Sequence, residues 1–251
     1  MTLKEEFIKL GYTEEDYEII RNNYAVNQIK DETLIKKLKD NFAFLLKMGY
    51  TKEEVIKMTK NSPSIYSYSI ENMKQKIEDM ITLGYTKEEV IKMTKNSPSI
   101  YSYSIETIKQ KIEDMITLGY TKEEVVKMTK GIPIIYSLSI ENMRQKIEDI
   151  ISLGYTKEEV IKMTKSLPSI YSLSIESIKQ KIDFYDSIDM HELAVINPKQ
   201  LMQSVNLSYA RYSFYKDRGI DIDMKNYRKL FIGQKQFEKA YGITKKELLE
   251  K

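Results

Sequence analysis

The feature that most constrains this chain is a unit that returns at a fixed step. The junction Gly49-Tyr50-Thr51 recurs at Gly84, Gly119 and Gly154, a constant interval of 35 residues. The first two copies differ only at Asn72/Thr107 and Met73/Ile108. A period of roughly 20–50 residues belongs to stacked arrays, because one such unit is too small to bury its own apolar face and must lean on its neighbours.

Within a copy the local signals are explicit. Thr51 and Glu54 have the spacing of a capping box, and Tyr50 and Val55 that of a hydrophobic staple, so a short helix starts at Lys52 and runs to about Lys60. Asn61, replaced by Gly131 in the third copy, suits a left-handed helix end, and Pro63 forbids continuation. Ser64-Ile65-Tyr66 reads as a tight connector, a single 3₁₀ turn. Ser69 then caps a longer helix whose Ile70, Met73, Ile77, Met80 and Ile81 form one apolar stripe, and Gly84 ends it. The expectation is an all-α helical-repeat solenoid, a curved superhelix of helix pairs with proline-broken corners.

The pattern also divides the chain. Residues 1–48 hold a divergent copy, with Gly11-Tyr12-Thr13 echoing the junction and no proline at the corner, as a capping repeat requires. Residues 49–188 hold the four close copies. Residues 189–251 are read as divergent C-terminal repeats and a cap, with Pro198 as corner proline and Gly219 as helix stop. Together they are expected to make one solenoid over residues 1–251. The copies vary around the corner, at Asn61-Ser62, Asn96-Ser97, Gly131-Ile132 and Ser166-Leu167, which is either a ligand-reading code or drift.

Composition excludes several chemistries. There is no cysteine, hence no disulfide, thiolate metal site or cysteine nucleophile. His191 is the single histidine, without a second ligand at metal spacing. No glycine-rich phosphate loop or nucleophile elbow occurs, so neither enzyme activity nor a cofactor or metal is expected. No run approaches the roughly 18 apolar residues of a membrane span. The start, Met1-Thr2-Leu3-Lys4-Glu5-Glu6, has the character of neither a secretory signal nor a transit peptide, so a cytoplasmic location is expected, organellar if the chain is a mature form. A net charge of +3 is a weak argument for a polyanionic partner, and the placement of charge must decide.

The junction Leu83-Gly84-Tyr85, the opening Thr86-Lys87-Glu88-Glu89-Val90, the corner Pro98-Ser99-Ile100 and the start Ser104-Ile105-Glu106 leading to Lys111-Ile112 resemble the repeat of mitochondrial transcription termination factor (mTERF) proteins. Arg211, Arg218-Gly219-Ile220 and Phe237 to Tyr241 are similar to the C-terminal part of that family, so the likeness covers nearly the whole chain. It implies a helical solenoid that binds nucleic acid along a basic concave surface and acts in organellar transcription, RNA maturation or ribosome assembly.

The resemblance gives the lysines a role. Lys57 and Lys60 recur as Lys92/Lys95, Lys127/Lys130 and Lys162/Lys165, and stacking converts the pair into a ladder of positive charge at steps of about 10 Å. Without the resemblance, the same lysines read as last-turn residues that complement the helix dipole. Arg211, Lys216, Arg218, Lys225, Arg228 and Lys229 form a second basic cluster, interleaved with Tyr209, Tyr212, Tyr215 and Tyr227, whose arginines suit phosphate. Lys74 and Lys76 lie among Glu71, Glu78 and Asp79 and read as a solvated face. The leading expectation is a monomeric, non-enzymatic nucleic-acid-binding repeat protein acting on duplex DNA in transcription or gene expression. The alternatives are a protein-binding scaffold and an RNA-binding factor.

Overall fold

The computed structural model describes residues 2–250, which hold 16 α-helices and no strand. The fold is an all-α helical repeat. The chain forms two compact units, residues 1–138 and 139–251, and the boundary falls inside the third close copy, after its corner.

The first unit begins with α1 (Leu3–Leu10), α2 (Glu14–Arg21), α3 (Tyr24–Asn27) and α4 (Asp31–Lys47). Then follow α5 (Lys52–Asn61), α6 (Ile70–Thr82), α7 (Lys87–Asn96), α8 (Ile105–Leu118) and α9 (Lys122–Gly131). A five-residue 3₁₀ corner starts at each of Pro63, Pro98 and Pro133. Every first helix of these copies opens with the capping box expected of Thr-x-x-Glu: Thr51, Thr86 and Thr121 each accept from the glutamate N–H three residues on, and the glutamate carboxylate accepts from the threonine N–H. First helices α5, α7 and α9 pack side by side, and second helices α4, α6 and α8 form a second layer.

The corner works differently from the expected left-handed stop. Asn61 and Gly131 are the last helical residues, and the turn is made by the residue before proline, with φ −140° at Ser62 and −137° at Ile132. Proline forces its predecessor out of the helical region, so the break needs no glycine. The left-handed conformation occurs at the junction instead, where Gly84 has φ +108°. There the Gly84 N–H donates to the Ile81 carbonyl and the Tyr85 N–H to the Met80 carbonyl, closing α6 and turning Tyr85 inward.

Met73, Ile77 and Met80 are buried as the stripe requires, each contributing about 1.5–3 kcal/mol. Ile81 is not part of that core; its side chain is substantially exposed.

The second unit holds α10 (Ile140–Ile151), α11 (Lys157–Ser166), α12 (Ile175–Asp186), α13 (Leu193–Ile196), α14 (Val205–Lys216), α15 (Gln234–Tyr241) and α16 (Lys245–Leu249). Here the register runs further than the glycines suggest. Asp189, 35 residues after Gly154, has φ +54°, and Met190 N–H donates to the Tyr185 carbonyl just as Tyr85 does to Met80. Asp tolerates the left-handed region better than most residues, so the junction persists without glycine. The period shortens only after it, because α13 has four residues where α11 has ten.

Candidate nucleic-acid interface

The site is built on the joints between repeats of the first unit. Tyr50 reaches into the next copy, where its hydroxyl hydrogen-bonds with Thr94 Oγ1 and, at 3.1 Å, with the Tyr101 hydroxyl. Thr94 donates its one proton to the Val90 carbonyl at 2.8 Å, so Tyr50 must donate to Thr94 and Tyr101 to Tyr50. The same buried relay links Tyr12 to Thr59 and Tyr66, and Tyr85 to Thr129 and Tyr136. Burial pushes these phenols up, Tyr12 to about 12, so they remain neutral donors at any physiological pH.

On the rim of each joint a lysine reaches back. Lys95 Nζ lies 2.8 Å from Glu54, the capping glutamate of the preceding repeat, and 5.3 Å from the centre of the Tyr50 ring. Lys130 repeats this with Glu89 at 2.8 Å and Tyr85 at 6.0 Å, and Lys60 pairs with Asp16 at 2.6 Å. The lysine partner, then the capping threonine, holds the Glu54 and Glu89 carboxyls below their usual range. Lys60, Lys95 and Lys130, expected as free phosphate contacts, are held in the structure as ties between repeats. The long stem brings the ammonium within reach of a carboxylate that the stacking places beside it.

The other lysine of each pair differs. Lys57, Lys92 and Lys127 are exposed one turn earlier, and none of the three has an ion pair among the described residues. Lys57 and Lys92 line a cleft of about 690 Å³ against α7, together with Met48, Lys87 and Ile91. A smaller cleft of about 280 Å³ lies one repeat on, lined by Leu83, Lys122, Glu123, Val126 and Lys130, with Lys130 at the place of Lys95 and not of Lys92. Lys87 and Lys122, at the first position of their helices, escape a reading of the sequence because they look like ordinary members of a helix opening. Their unvarying recurrence in Thr-Lys-Glu-Glu is the signal that could have found them. In the second unit Lys162 is exposed on α11, and Lys165, also exposed, takes part in an interaction.

The second layer overturns the reading of Lys76 as solvated. It is buried and donates to the Tyr103 carbonyl at the end of the next corner, as Lys111 does to Leu138. Lys146 does the same to Leu173, at 2.6 Å, in the second unit. Burial lowers the Lys76 and Lys111 pKa. Lys74 stays exposed, 5.9 Å from the Phe44 ring centre.

Among the C-terminal cations, Arg211 is also corrected. The residue is 3% exposed, its guanidinium donates to the Leu230 carbonyl at 2.9 Å, the Ile232 carbonyl at 2.7 Å and Gln234 Oε1 at 3.1 Å, and it lies over Phe237. It ties the segment before α15 to α14 and has no face left for phosphate. Arg218 is exposed but stacked 3.6 Å from the Phe214 ring centre, and Lys216 and Arg228 are exposed. Of the interleaved tyrosines, Tyr215 and Tyr227 are core, and Tyr209 sets its ring edge to face with Phe184 at 4.6 Å.

His191 is an element of the last joint rather than a ligand. Its ring stacks on Tyr155 at 4.2 Å, its Nδ1 lies 2.6 Å from Asp186, and its backbone carbonyl accepts from the Tyr155 hydroxyl at 2.8 Å. Among the described residues no His, Asp and Glu cluster could hold a metal, and no helix is long and apolar enough to cross a membrane.

Repeated helix pairs joined through buried tyrosines, with one layer of first helices presenting recurrent free lysines, define a helical-repeat protein with a candidate polyanion-binding face. The mTERF family model matches residues 5–152 and again 81–237, and the chain belongs to that family. No curated protein matches it significantly. Membership places the chain among helical-repeat proteins associated with nucleic-acid binding and the regulation of gene expression, generally without enzymatic activity.

Proposed function

We propose that the protein binds duplex DNA through the first-helix layer of the first unit and acts in transcription or another step of gene expression. The observation that carries this reading is that Lys57, Lys92 and Lys127 stand exposed and without an ion pair among the described residues, at one position on three helices packed side by side. Lys87 and Lys122 add to the same layer. Packed helices lie about 8–10 Å apart, so successive copies offer ammonium groups at a regular step to a regular polyanion. Affinity arises chiefly from phosphate contacts and carries little sequence preference from these residues.

The test is fluorescence anisotropy with random duplex DNA, single-stranded DNA and RNA at two salt concentrations. Converting Lys57, Lys92 and Lys127 together to glutamate weakens duplex binding at least about tenfold and reduces the salt slope by about one for each phosphate no longer neutralised, with helical content unchanged. Unaltered affinity would refute the site. Tighter binding to RNA than to duplex DNA at both salts would overturn the choice of DNA and leave the lysine face standing.

A further inference from the structure

The first groove of the second-helix layer, between α4 and α6, departs from the repeat in a way that favours an anion. The Tyr50 N–H donates to the Leu45 carbonyl as the Tyr85 N–H does to Met80, so α4 and α6 share a register at a step of 35 residues. At that step Ala43, Phe44 and Lys47 on α4 stand where α6 has Glu78, Asp79 and Thr82. Two carboxylates are thereby absent and one ammonium is gained. The result is a groove of about 400 Å³ with an apolar floor of Phe44, Met48 and Ile70 and with Lys47, Lys74 and Lys87 around it; Asp40 is its one acid. The three lysines are exposed and none has an ion pair among the described residues, and Lys74 Nζ lies 5.9 Å from the centre of the Phe44 ring.

The groove is continuous with the lysine face. Met48 and Lys87 line both it and the cleft of about 690 Å³ that holds Lys57 and Lys92, where Glu54 is tied to Lys95 and Glu88 is the remaining acid. Lys87, at the first position of α7, thus stands where the two helix layers meet. The width of the groove narrows the occupant: packed helices lie about 8–10 Å apart, whereas the major groove of a duplex alone is about 12 Å across, so one strand fits between α4 and α6 and a duplex does not. A cationic groove with an aromatic floor is the chemistry that holds a single strand, its phosphates on the ammonium groups and its bases against the apolar surface. We propose that this groove takes an unpaired stretch of the nucleic-acid strand bound on the lysine face, led round the layer edge by Lys87, with Lys47 and Lys74 on its phosphates. This rests on the proposed nucleic-acid binding and deepens it, at two lysines which that reading does not use.

The experiment measures fluorescence anisotropy of the full chain with a fluorescein-labelled blunt duplex and with the same duplex carrying a ten-nucleotide single-stranded extension at either end. The extended duplex should bind at least about fivefold tighter than the blunt one at low salt, for one polarity of the extension or both. Ala43→Glu/Lys47→Thr, which installs the side chains of the next repeat at two exposed positions, should abolish that gain and change blunt-duplex affinity less than about twofold, with far-UV circular dichroism unchanged. Lys74→Glu should do the same. Lys57→Glu/Lys92→Glu/Lys127→Glu should weaken both duplexes and keep their ratio. Equal affinity for the blunt and the extended duplex would overturn the groove and leave the lysine face standing, as would a gain that survives Ala43→Glu/Lys47→Thr. Calorimetry that finds a free nucleoside monophosphate bound as tightly as a ten-nucleotide single strand would assign the groove to a small ligand and sink the proposal. Weak, salt-insensitive binding of the blunt duplex beside tight, Lys47-dependent binding of the single strand would instead sink the duplex reading and keep the groove.

Discussion

The joints of the first unit and the last joint of the second solve the same problem with different groups. Between α5 and α7 a tyrosine from the junction donates to a threonine on the next first helix, receives from a corner tyrosine, and is roofed by a lysine bound to the capping glutamate. After Tyr155 the next first helix is cut to the four residues of α13, where Ala194 and Val195 stand at the places of Thr164 and Lys165, and Leu201 stands where Tyr171 stands one copy earlier. Tyr155 then turns to the His191 carbonyl and stacks on its ring. In the second layer Lys181 donates to Ser208 Oγ at 2.8 Å, where its counterparts donate to a corner carbonyl. The relay thus depends on the threonine and the corner tyrosine, which are Ala194 and Leu201 here. Once both hydroxyls are gone, the tyrosine keeps its place and exchanges a buried network for a single bond to backbone.

The sharpest way to break this comparison is to remove one hydroxyl from each joint. Tyr85→Phe leaves the buried Tyr136 hydroxyl without its acceptor and Thr129 without its donor, and should cost about 1–3 kcal/mol. Tyr155→Phe removes one bond at a partly buried site and should cost about 0.5–1 kcal/mol. Equal losses in urea unfolding would show that the relay adds nothing beyond a single hydrogen bond.

Lys181 sharpens the contrast from the other layer. It is 1% exposed with one neutral partner, and burial pushes its pKa down to about 8. The folded state disfavours the charged form, so the penalty is fully present below about pH 8 and fades as pH rises toward the unfolded value near 10.4. Lys181→Met should therefore stabilise the protein by about 1 kcal/mol at pH 7, with the gain shrinking by pH 10 in thermal unfolding followed by circular dichroism. Ser208 loses nothing essential, since its hydroxyl also donates to the Ser204 carbonyl. A destabilised variant at pH 7 would make Lys181 a needed tie like Lys76.

The smallest effect belongs to the rim. Glu54 and Glu89 have depressed folded pKa values, so their contribution is present above the unfolded carboxyl range and is lost as pH falls through the folded values. Lys95→Met/Lys130→Met should cost no more than about 1 kcal/mol per pair at pH 7 and flatten the acid side of the stability profile, with duplex binding close to wild type. A loss of DNA affinity as large as that of the Lys57, Lys92 and Lys127 variant would return these lysines to the interface.

The repeat step, the capping boxes, the serine caps and the proline corners are all legible in the sequence, because each depends on residues within about four positions of one another. The corner lies where the sequence puts it but is made by a different residue, since the restriction that proline imposes on Ser62 outranks the tolerance of Asn61. Asp189 hides a junction from any search for glycine, yet a left-handed aspartate carries the same backbone bonds. The site is less legible. Lys57 and Lys60 are three residues apart and chemically identical, and only the stacked neighbour distinguishes them by bringing Asp16 to one and not the other. Arg211 has the look of a phosphate fork, but the segment before α15 folds over it and takes both of its terminal nitrogens.

The chain of residues by itself determined the period, the helix pair and the places where helices start and stop, because backbone geometry and capping are settled by near neighbours. Only the tertiary structure decided which cations are free. Lys60 and Asp16 are 44 residues apart in sequence, and Lys76 and Tyr103 are 27; the meeting of such groups depends on how one repeat packs against the next. That packing commits one lysine of each repeated pair in the first unit to cohesion and leaves the other in water, a division that no local pattern encodes.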